Sequence, residues 1–313
     1  MSTYLITGVA GFIGSNLAAE LLGRGETVRG VDNFATGKRT NLTTLAGLDF
    51  IEGDVTDPEL MKRAMRGVDY VLHQAAIPSV PRSVANPMEC NHACVDGTLV
   101  TLEAARHARS VKRFVYAASS SAYGDSPTLP KVETMPVHPL SPYAVAKLAA
   151  EHYVAVYARL YNLQTVRLRY FNIFGPRQDP ENQYAAVVPK FIQCALRGES
   201  PPIFGDGLQS RDFTYVGNAV EANLLACTAA NVSGELINVA CGKRYSLLDL
   251  VEAINGILGT HIAPKLFPAR AGDIKDSLAD ITRARTLLGY TAGIDFNEGL
   301  RRTVAWLKSQ PQS

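Results

Sequence analysis

Tyr143 and Lys147 stand four residues apart in the stretch SPYAVAK. On a helix that spacing puts a phenol and an ammonium on one face. Ser141 and Pro142 read as N-cap and first helical residue, so the helix begins just before them. A phenol has an ordinary pKa of about 10 and becomes a base near neutrality only beside positive charge. Lys147 supplies such a charge, and the first turn of a helix adds a little more. Ser119 opens a run of three serines in AASSSAYGD, 24 residues before Tyr143. Its hydroxyl can complete a Ser–Tyr–Lys set. Taken alone, SPYAVAK is equally the start of a well-capped helix with two solvent-facing side chains.

A second set of residues suits a dinucleotide. TGVAGFIGS carries Gly8, Gly11 and Gly14 between a strand pattern and a helix pattern. Such glycines allow a tight turn and let the backbone approach a pyrophosphate at the helix N-terminus. Asp32 ends the next strand pattern, 18 residues after Gly14. A carboxylate there can accept from both ribose hydroxyls of NAD and repels the 2′-phosphate of NADP. Lys38 and Arg39 could favour NADP but fall several residues further on, so NAD is the expected cofactor. Asp54, in EGDVTD, can bond an adenine amino group or simply cap its turn.

The elements that must hold these residues are read from periodicity. TYLIT, TVRGV, LDFIEGDV, DYVLHQAA, RFVYAASSS and TVRLRYFN read as strands. FIGSNLAAELLGRG, CVDGTLVTLEAARHA and the segment opened by Ser141 read as helices between them. This alternation predicts an α/β fold, a Rossmann-type doubly wound parallel sheet, with a smaller C-terminal substrate lobe. The expected NAD-binding domain spans 1–172, with 210–240 returning to it, and the substrate lobe is mainly 173–313. Within the returning part, RDFTYV is the expected strand. The cleft between sheet and lobe is the expected site.

Composition excludes several classes. Of the 313 residues, 47% are hydrophobic and 19% charged, ordinary for a protein with a full core. A formal charge of +2 gives no field suited to nucleic acid or a membrane surface. No apolar run is long enough to span a bilayer. MSTYLITG enters a strand at once and leaves no room for a signal peptide. The five cysteines lack paired spacing, which argues against disulfides and for a cytoplasmic protein. Cys90, His92 and Cys94 lack the spacing of a zinc site, so no metal is expected.

The glycine triplet, Asp32, the serine run and YxxxK together resemble the extended short-chain dehydrogenase/reductase family over nearly the whole chain. HQAAIPSVPRS, LRYFNIFGPRQDP, GDGLQSRDFTYV, NVACGKRYSLLDLV and RAGDIKDSLADI narrow the resemblance to nucleotide-sugar epimerases. They look most like UDP-hexose 4-epimerases, especially the UDP-N-acetylglucosamine branch. The resemblance implies that Tyr143 takes the proton of the sugar 4-hydroxyl while Ser119 bonds the same oxygen and Lys147 holds the nicotinamide ribose. Hydride would leave C4 for NAD and return to the other face of a rotated 4-keto sugar. Around the cofactor it implies Phe12, Ile13, Asn33, Gly37, Val55, Ala75, Ala76 and Tyr170, besides the residues above. Dehydratases of the family have Thr-Asp-Glu where this chain has Ser119, Ser120 and Ser121, and the missing carboxylates count against water elimination. They also count against decarboxylation.

The same resemblance implies the substrate grip. Asn172 would touch the diphosphate, Arg211 and Arg270 would clamp it, and Asp273 would hold a ribose hydroxyl or orient the clamp. Val188, Lys190 and Phe204 would line the uridine pocket. Ser277 stands where epimerases restricted to UDP-glucose and UDP-galactose carry a bulky residue; Ser79, Gln178 and Ala186 match positions around an N-acetyl group. Three departures stand out: Cys94 replaces a usual Asn, Gly217 a common Asp, and Pro78 a lysine used near the cofactor by some UDP-galactose 4-epimerases. A UDP-glucuronate 4-epimerase is the rival within the fold, with the carboxylate near Ser120, Ser121 and Gln178. A non-catalytic NAD-binding sensor is the rival outside it, disfavoured because Tyr143 and Lys147 both remain. The helices over Cys94–Ala108 and Ser141–Leu160 resemble a four-helix dimer interface, with Ala146, Leu148, Tyr153, Val156 and Tyr157 as its apolar residues, so a homodimer is expected.

Overall fold

The computed structural model describes residues 1–180, 186–269 and 275–310. The chain lays down β1 (Thr3–Thr7), α1 (Phe12–Gly23), β2 (Thr27–Asp32), β3 (Asp49–Glu52), α2 (Pro58–Ala64), β4 (Tyr70–His73), α3 (Val80–Ala85), α4 (Pro87–Asn91), α5 (Gly97–Ala108), β5 (Arg113–Ser119), α6 (Pro142–Tyr161) and β6 (Thr165–Tyr170). It continues with β7 (Ile173–Phe174), α7 (Val187–Leu196), β8 (Pro202–Phe204), β9 (Ser210–Arg211), β10 (Thr214–Tyr215), α8 (Val216–Thr228), β11 (Glu235–Val239), β12 (Tyr245–Ser246), α9 (Leu247–Leu258), β13 (Lys265–Phe267), α10 (Thr282–Leu288) and α11 (Phe296–Ser309).

Seven parallel strands form the main sheet in the order β11-β6-β5-β4-β1-β2-β3. The winding reverses between β1 and β4, and a crevice opens there at the carboxyl ends of the strands. β1 and β5 are buried along nearly their whole length because helices cover both faces. One apolar cluster packs α1, α8 and α10 on one face; a second packs α2, α5 and α6 on the other. The lobe has its own core, where Phe174, Phe213, Tyr215 and Phe296 meet edge-on and stacked. Each such buried side chain contributes about 1.5–3 kcal/mol.

Two expectations change. RDFTYV does not enter the main sheet: Thr214–Tyr215 pairs with Ile173–Phe174 in a separate two-stranded ladder. The strand that joins the sheet is β11, beside β6, and it follows a left-handed Gly234. Its sequence, ELINV, is apolar enough to sit against α8 and α10, whereas the aromatic side chains of RDFTYV fill the lobe core. The helix expected from Cys94 also starts earlier. Asn86 caps α4 at Glu89 N, and one π-helical turn, His92–Asp96, links α4 to α5. Among the described residues no helix is long and apolar enough to cross a membrane.

Candidate active site

α1 begins at Gly11 with no side chain over its first N–H groups and no acidic residue in its first turn. Those donors face the cavity that Gly8, Gly11, Phe12, Ile13, Gly14 and Asp32 help to line. The glycines are demanded by contact. A Cβ on Gly14 would lie 2.2 Å from the Gly8 oxygen, and one on Gly8, at φ +70°, would lie 2.9 Å from Ala75. Gly37 is equally restricted, because its Cβ would meet Ala10 at 2.8 Å and Asp32 Oδ1 at 3.0 Å. A cradle in which side chains are excluded and N–H groups point outward fits a dinucleotide pyrophosphate.

Asp32 is buried, and its two oxygens accept from Ala10 N at 2.9 Å and Phe34 N at 2.7 Å. Burial raises its pKa, and these two bonds work against the rise. The cations beside it are committed elsewhere. Lys38 pairs with Asp179 at 2.8 Å; Arg39 pairs with Glu52 at 2.7 Å and lies over the Phe34 ring. A carboxylate at the strand end with its basic neighbours neutralised fits the ribose of NAD rather than a 2′-phosphate. A side cavity of about 140 Å³ holds Asn33, Asp54, Val55, Ala75 and Ala76. Asp54 accepts from Asn33 Nδ2 at 2.6 Å and from Thr56 N at 2.8 Å. Burial would raise its pKa, but the bonds from Thr56 and Asn33 hold it below the usual value.

A second cavity, of about 390 Å³, meets the cofactor cavity at Ile13, Pro78, Ala118, Tyr143 and Tyr170. Ser119, Ser120, Ser121, Asn172, Arg211 and Ser277 line it. Tyr143 therefore stands in the wall that both cavities share, with Lys147 on the cofactor side. The helix start that places them is fully satisfied. Ser141 Oγ accepts from Ala144 N at 3.2 Å, Pro142 has no N–H, and Ser83 Oγ accepts from Tyr143 N at 3.1 Å. One turn beyond Lys147, Glu151 and Arg169 form a buried two-bond ion pair at 2.8 Å that fixes α6 against β6.

The electrostatics differ from expectation in one respect. Burial holds the Tyr143 phenol above its ordinary pKa, the nearby Cys94 thiol adds to the rise, and the Ser119 hydroxyl opposes it. Lys147, also buried, has its ammonium pushed down and rests 4.4 Å from the Tyr116 ring centroid. Burial dominates the phenol in the chain alone, and burial also works against the Lys147 charge. Cys94 packs with Cys90, Ala146 and Tyr143. A hydrogen bond from Cys90 and the Lys147 charge lower the Cys94 thiol, and Cys90 rises in turn.

The remaining predicted residues are distributed as follows. Tyr170 lines both cavities; its hydroxyl accepts from Asn223 Nδ2 at 2.7 Å and donates to Gln74 Oε1 at 3.2 Å. Asn172, left-handed at φ 40°, donates to Ser277 Oγ and to the Asp212 carbonyl, both at 3.2 Å. Ser79, Gln178 and Ala186 open onto the cofactor cavity rather than the one with Ser277. Ser79 caps α3, and Gln178 is held by Ile173 O. Val188 is buried in the lobe core, Lys190 is exposed, and Phe204 stacks on Phe267. Arg270 and Asp273 lie outside the described residues. Gly217 leaves room for the Tyr215 ring, which a Cβ would meet at 2.9 Å. No three His, Cys, Asp or Glu side chains among the described residues could share a metal.

Ser83, Gln74, Asn223 and Asp212 were not predicted. Asp212 accepts from Cys241 N, Gly242 N and Ala279 N at 2.9, 3.0 and 3.3 Å, which ties three segments behind Arg211 and Ser277. Burial pushes its pKa up to about 6. Its place beside Arg211 in SRDFTYV was the one available signal.

Comparison with known proteins agrees with this geometry. The model of the NAD dependent epimerase/dehydratase family matches residues 4–240. A UDP-glucose 4-epimerase of Mycolicibacterium smegmatis is 38% identical over 313 residues, covering 98% of this chain and 99% of the relative. The structure of a UDP-N-acetylglucosamine 4-epimerase from Methanobrevibacter ruminantium M1, in complex with UDP-N-acetylmuramic acid, superposes with a TM-score of 0.94 at 40% identity, covering 99% of each chain. That of a UDP-glucose 4-epimerase with UDP-glucose, from Thermotoga maritima, gives 0.92 at 38% identity and 98% of each chain.

Proposed function

Since the chain belongs to the NAD-dependent epimerase/dehydratase family and is an epimerase of UDP-sugars, we propose that it inverts C4 of UDP-N-acetylglucosamine and UDP-N-acetylgalactosamine, and of UDP-glucose and UDP-galactose. The observation that carries this reading is Tyr143 in the wall common to both cavities, with Ser119 lining the substrate side of it. When bound, NAD supplies the acceptor and donor for the hydride at C4. Tyr143 takes the proton of the 4-hydroxyl and returns it, as a general base and then a general acid. Ser119 holds the same oxygen, so the proton moves along a fixed line. Lys147, pinned by burial, orients the cofactor side of the site. Asn172 and Arg211 grip the diphosphate end while the sugar turns. Ser119–Ser121 offer three hydroxyls and no carboxylate, where a dehydratase of the family would place its acids, which supports epimerisation over water elimination.

Ser277 supports the N-acetyl branch. Its small side chain lines the cavity and bonds Asn172, where a bulky residue would take up more of the room. A homodimer is supported by α6, whose Val145, Tyr153, Val156, Leu160 and Tyr161 are exposed; Ala146 and Tyr157, expected on that face, are buried instead. The five cysteines are free thiols, which suits a reducing cytoplasm. Incubation with UDP-N-acetylglucosamine and, separately, UDP-glucose, read by proton NMR, should give the C4 epimer of each. No turnover of any UDP-hexose or UDP-hexuronate would remove the enzyme reading in favour of an NAD-binding sensor.

A further inference from the structure

Lys131 lines the substrate cavity beside Ser119–Ser121, Tyr143 and Ser277, yet it is only 3% exposed. Its backbone is fixed. Lys131 N donates to Leu278 O at 2.7 Å, and Lys131 O accepts from Asp280 N at 2.9 Å and Asn238 Nδ2 at 3.0 Å. The segment it grips is the one that carries Ser277, so the side chain is held on a rigid frame. An ammonium has three donors. Among the described residues this one meets a single acceptor, the Ser126 carbonyl.

The carboxylates around it are engaged elsewhere. Asp125, mostly exposed, faces His138 at 3.5 Å. Glu133 accepts from Asn238 N at 2.8 Å. Asp276 bonds Ser210 Oγ and lies 3.7 Å from Arg244. Burial without a counterion pushes the Lys131 ammonium below its ordinary pKa, and Asp125 offsets this only in part. A buried charge with unused donors is costly unless a ligand pairs with it.

We propose that Lys131 contacts the substrate and sets its specificity: its ammonium pairs with an anionic oxygen on the hexose, so that the cavity accepts UDP-hexuronates alongside neutral UDP-hexoses. The C6 carboxylate is the group that fits. Oxidation at C6 creates the anion with almost no added bulk, and C6 hangs from the ring carbon next to C4, which Tyr143 and Ser119 address. This rests on the reading of the cavity as a UDP-sugar site.

The test compares wild type, Lys131→Met and Lys131→Gln on UDP-glucuronate and UDP-glucose, with C4 epimers read by NMR and binding by calorimetry. Wild type should turn over both sugars. Loss of a charge-assisted bond should lower kcat/KM for UDP-glucuronate by about 10- to 100-fold and leave UDP-glucose within about 5-fold. Two results would overturn the proposal: wild type that epimerises UDP-glucose but ignores UDP-glucuronate, or variants that lose both sugars alike. Thermal melting separates the second result from misfolding, and a variant that melts early is judged by the other. If no UDP-sugar turns over, the enzyme reading fails, and calorimetry still decides on Lys131. Tighter binding of UDP-glucuronate than of UDP-glucose, abolished in either variant, supports it; equal binding overturns it.

Discussion

At the scale of residues, the site is a contest between burial and hydrogen bonding. To act as the proposed base Tyr143 must lose its proton, yet burial opposes the phenolate, while among the described residues the Ser119 hydroxyl favours it. Removing that hydroxyl raises the phenol pKa further. The base is then populated only at higher pH, so the acidic limb of the kcat/KM profile should move to higher pH in Ser119→Ala. Its maximum should also fall by about 10- to 1000-fold, as for the loss of one positioned donor. Stopped assays across pH check both, and an unmoved limb would separate Ser119 from the phenol. The Tyr–Lys pair was legible in the sequence because its geometry is local to one helix. The direction of the phenol's shift was not, because burial is set by strands and helices far along the chain. Lys131 was missed for a related reason: LPKVE looks like an ordinary loop until the bridge to Ala279 turns its lysine inward.

At the scale of elements, two helix starts hold the site and solve the same problem in opposite ways. α1 leaves its first donors open behind a collar of glycines, as a site for a pyrophosphate requires. α6 closes its own, partly with a residue from another helix: Ser83 of α3 donates to Val80 O at 2.7 Å and accepts from Tyr143 N at 3.1 Å. Ser83→Ala strands that buried N–H and should cost about 1 kcal/mol. It should lower kcat more than it changes KM, and leave NAD retention intact. Ser83→Thr should restore much of the rate, because it returns the acceptor. Denaturant melts with steady-state kinetics read both effects. Equal loss in the Ala and Thr variants would point to packing alone. The glycine triplet and Asp32 could be located from sequence because strand–turn–helix grammar fixes them. Ser83 could not, since its partner lies 60 residues away. β11 was overlooked for RDFTYV, since a strand-like pattern does not reveal which sheet receives it.

At the scale of the molecule, the segment after β7 also closes over the cavity lined by the glycine turn. Asn16 Nδ2 donates to Pro176 O at 3.0 Å, Arg177 Nη1 donates to Ser15 O at 2.9 Å, and Lys38 pairs with Asp179 across the opening. An epimerase must keep its reduced cofactor until hydride returns, so these ties bear on retention. The ion pair is half exposed and worth about 0–1 kcal/mol. The half-buried Arg177 bond to the first turn of α1 should matter more. NAD should therefore dissociate faster from Arg177→Ala than from Asp179→Asn, a ranking that gel filtration followed by cofactor assay can read. The overall architecture was legible because alternating strands and helices admit few topologies; the ties across the opening join segments too distant in sequence to be paired by pattern. The central claim is that one phenol moves the proton between two adjoining cavities. It is tested most directly by Tyr143→Phe, with C4 inversion of UDP-N-acetylglucosamine followed by proton NMR and bound NAD measured on the same sample. The account predicts a fall in turnover of about 100-fold or more with NAD still bound; turnover near the wild-type rate would contradict it.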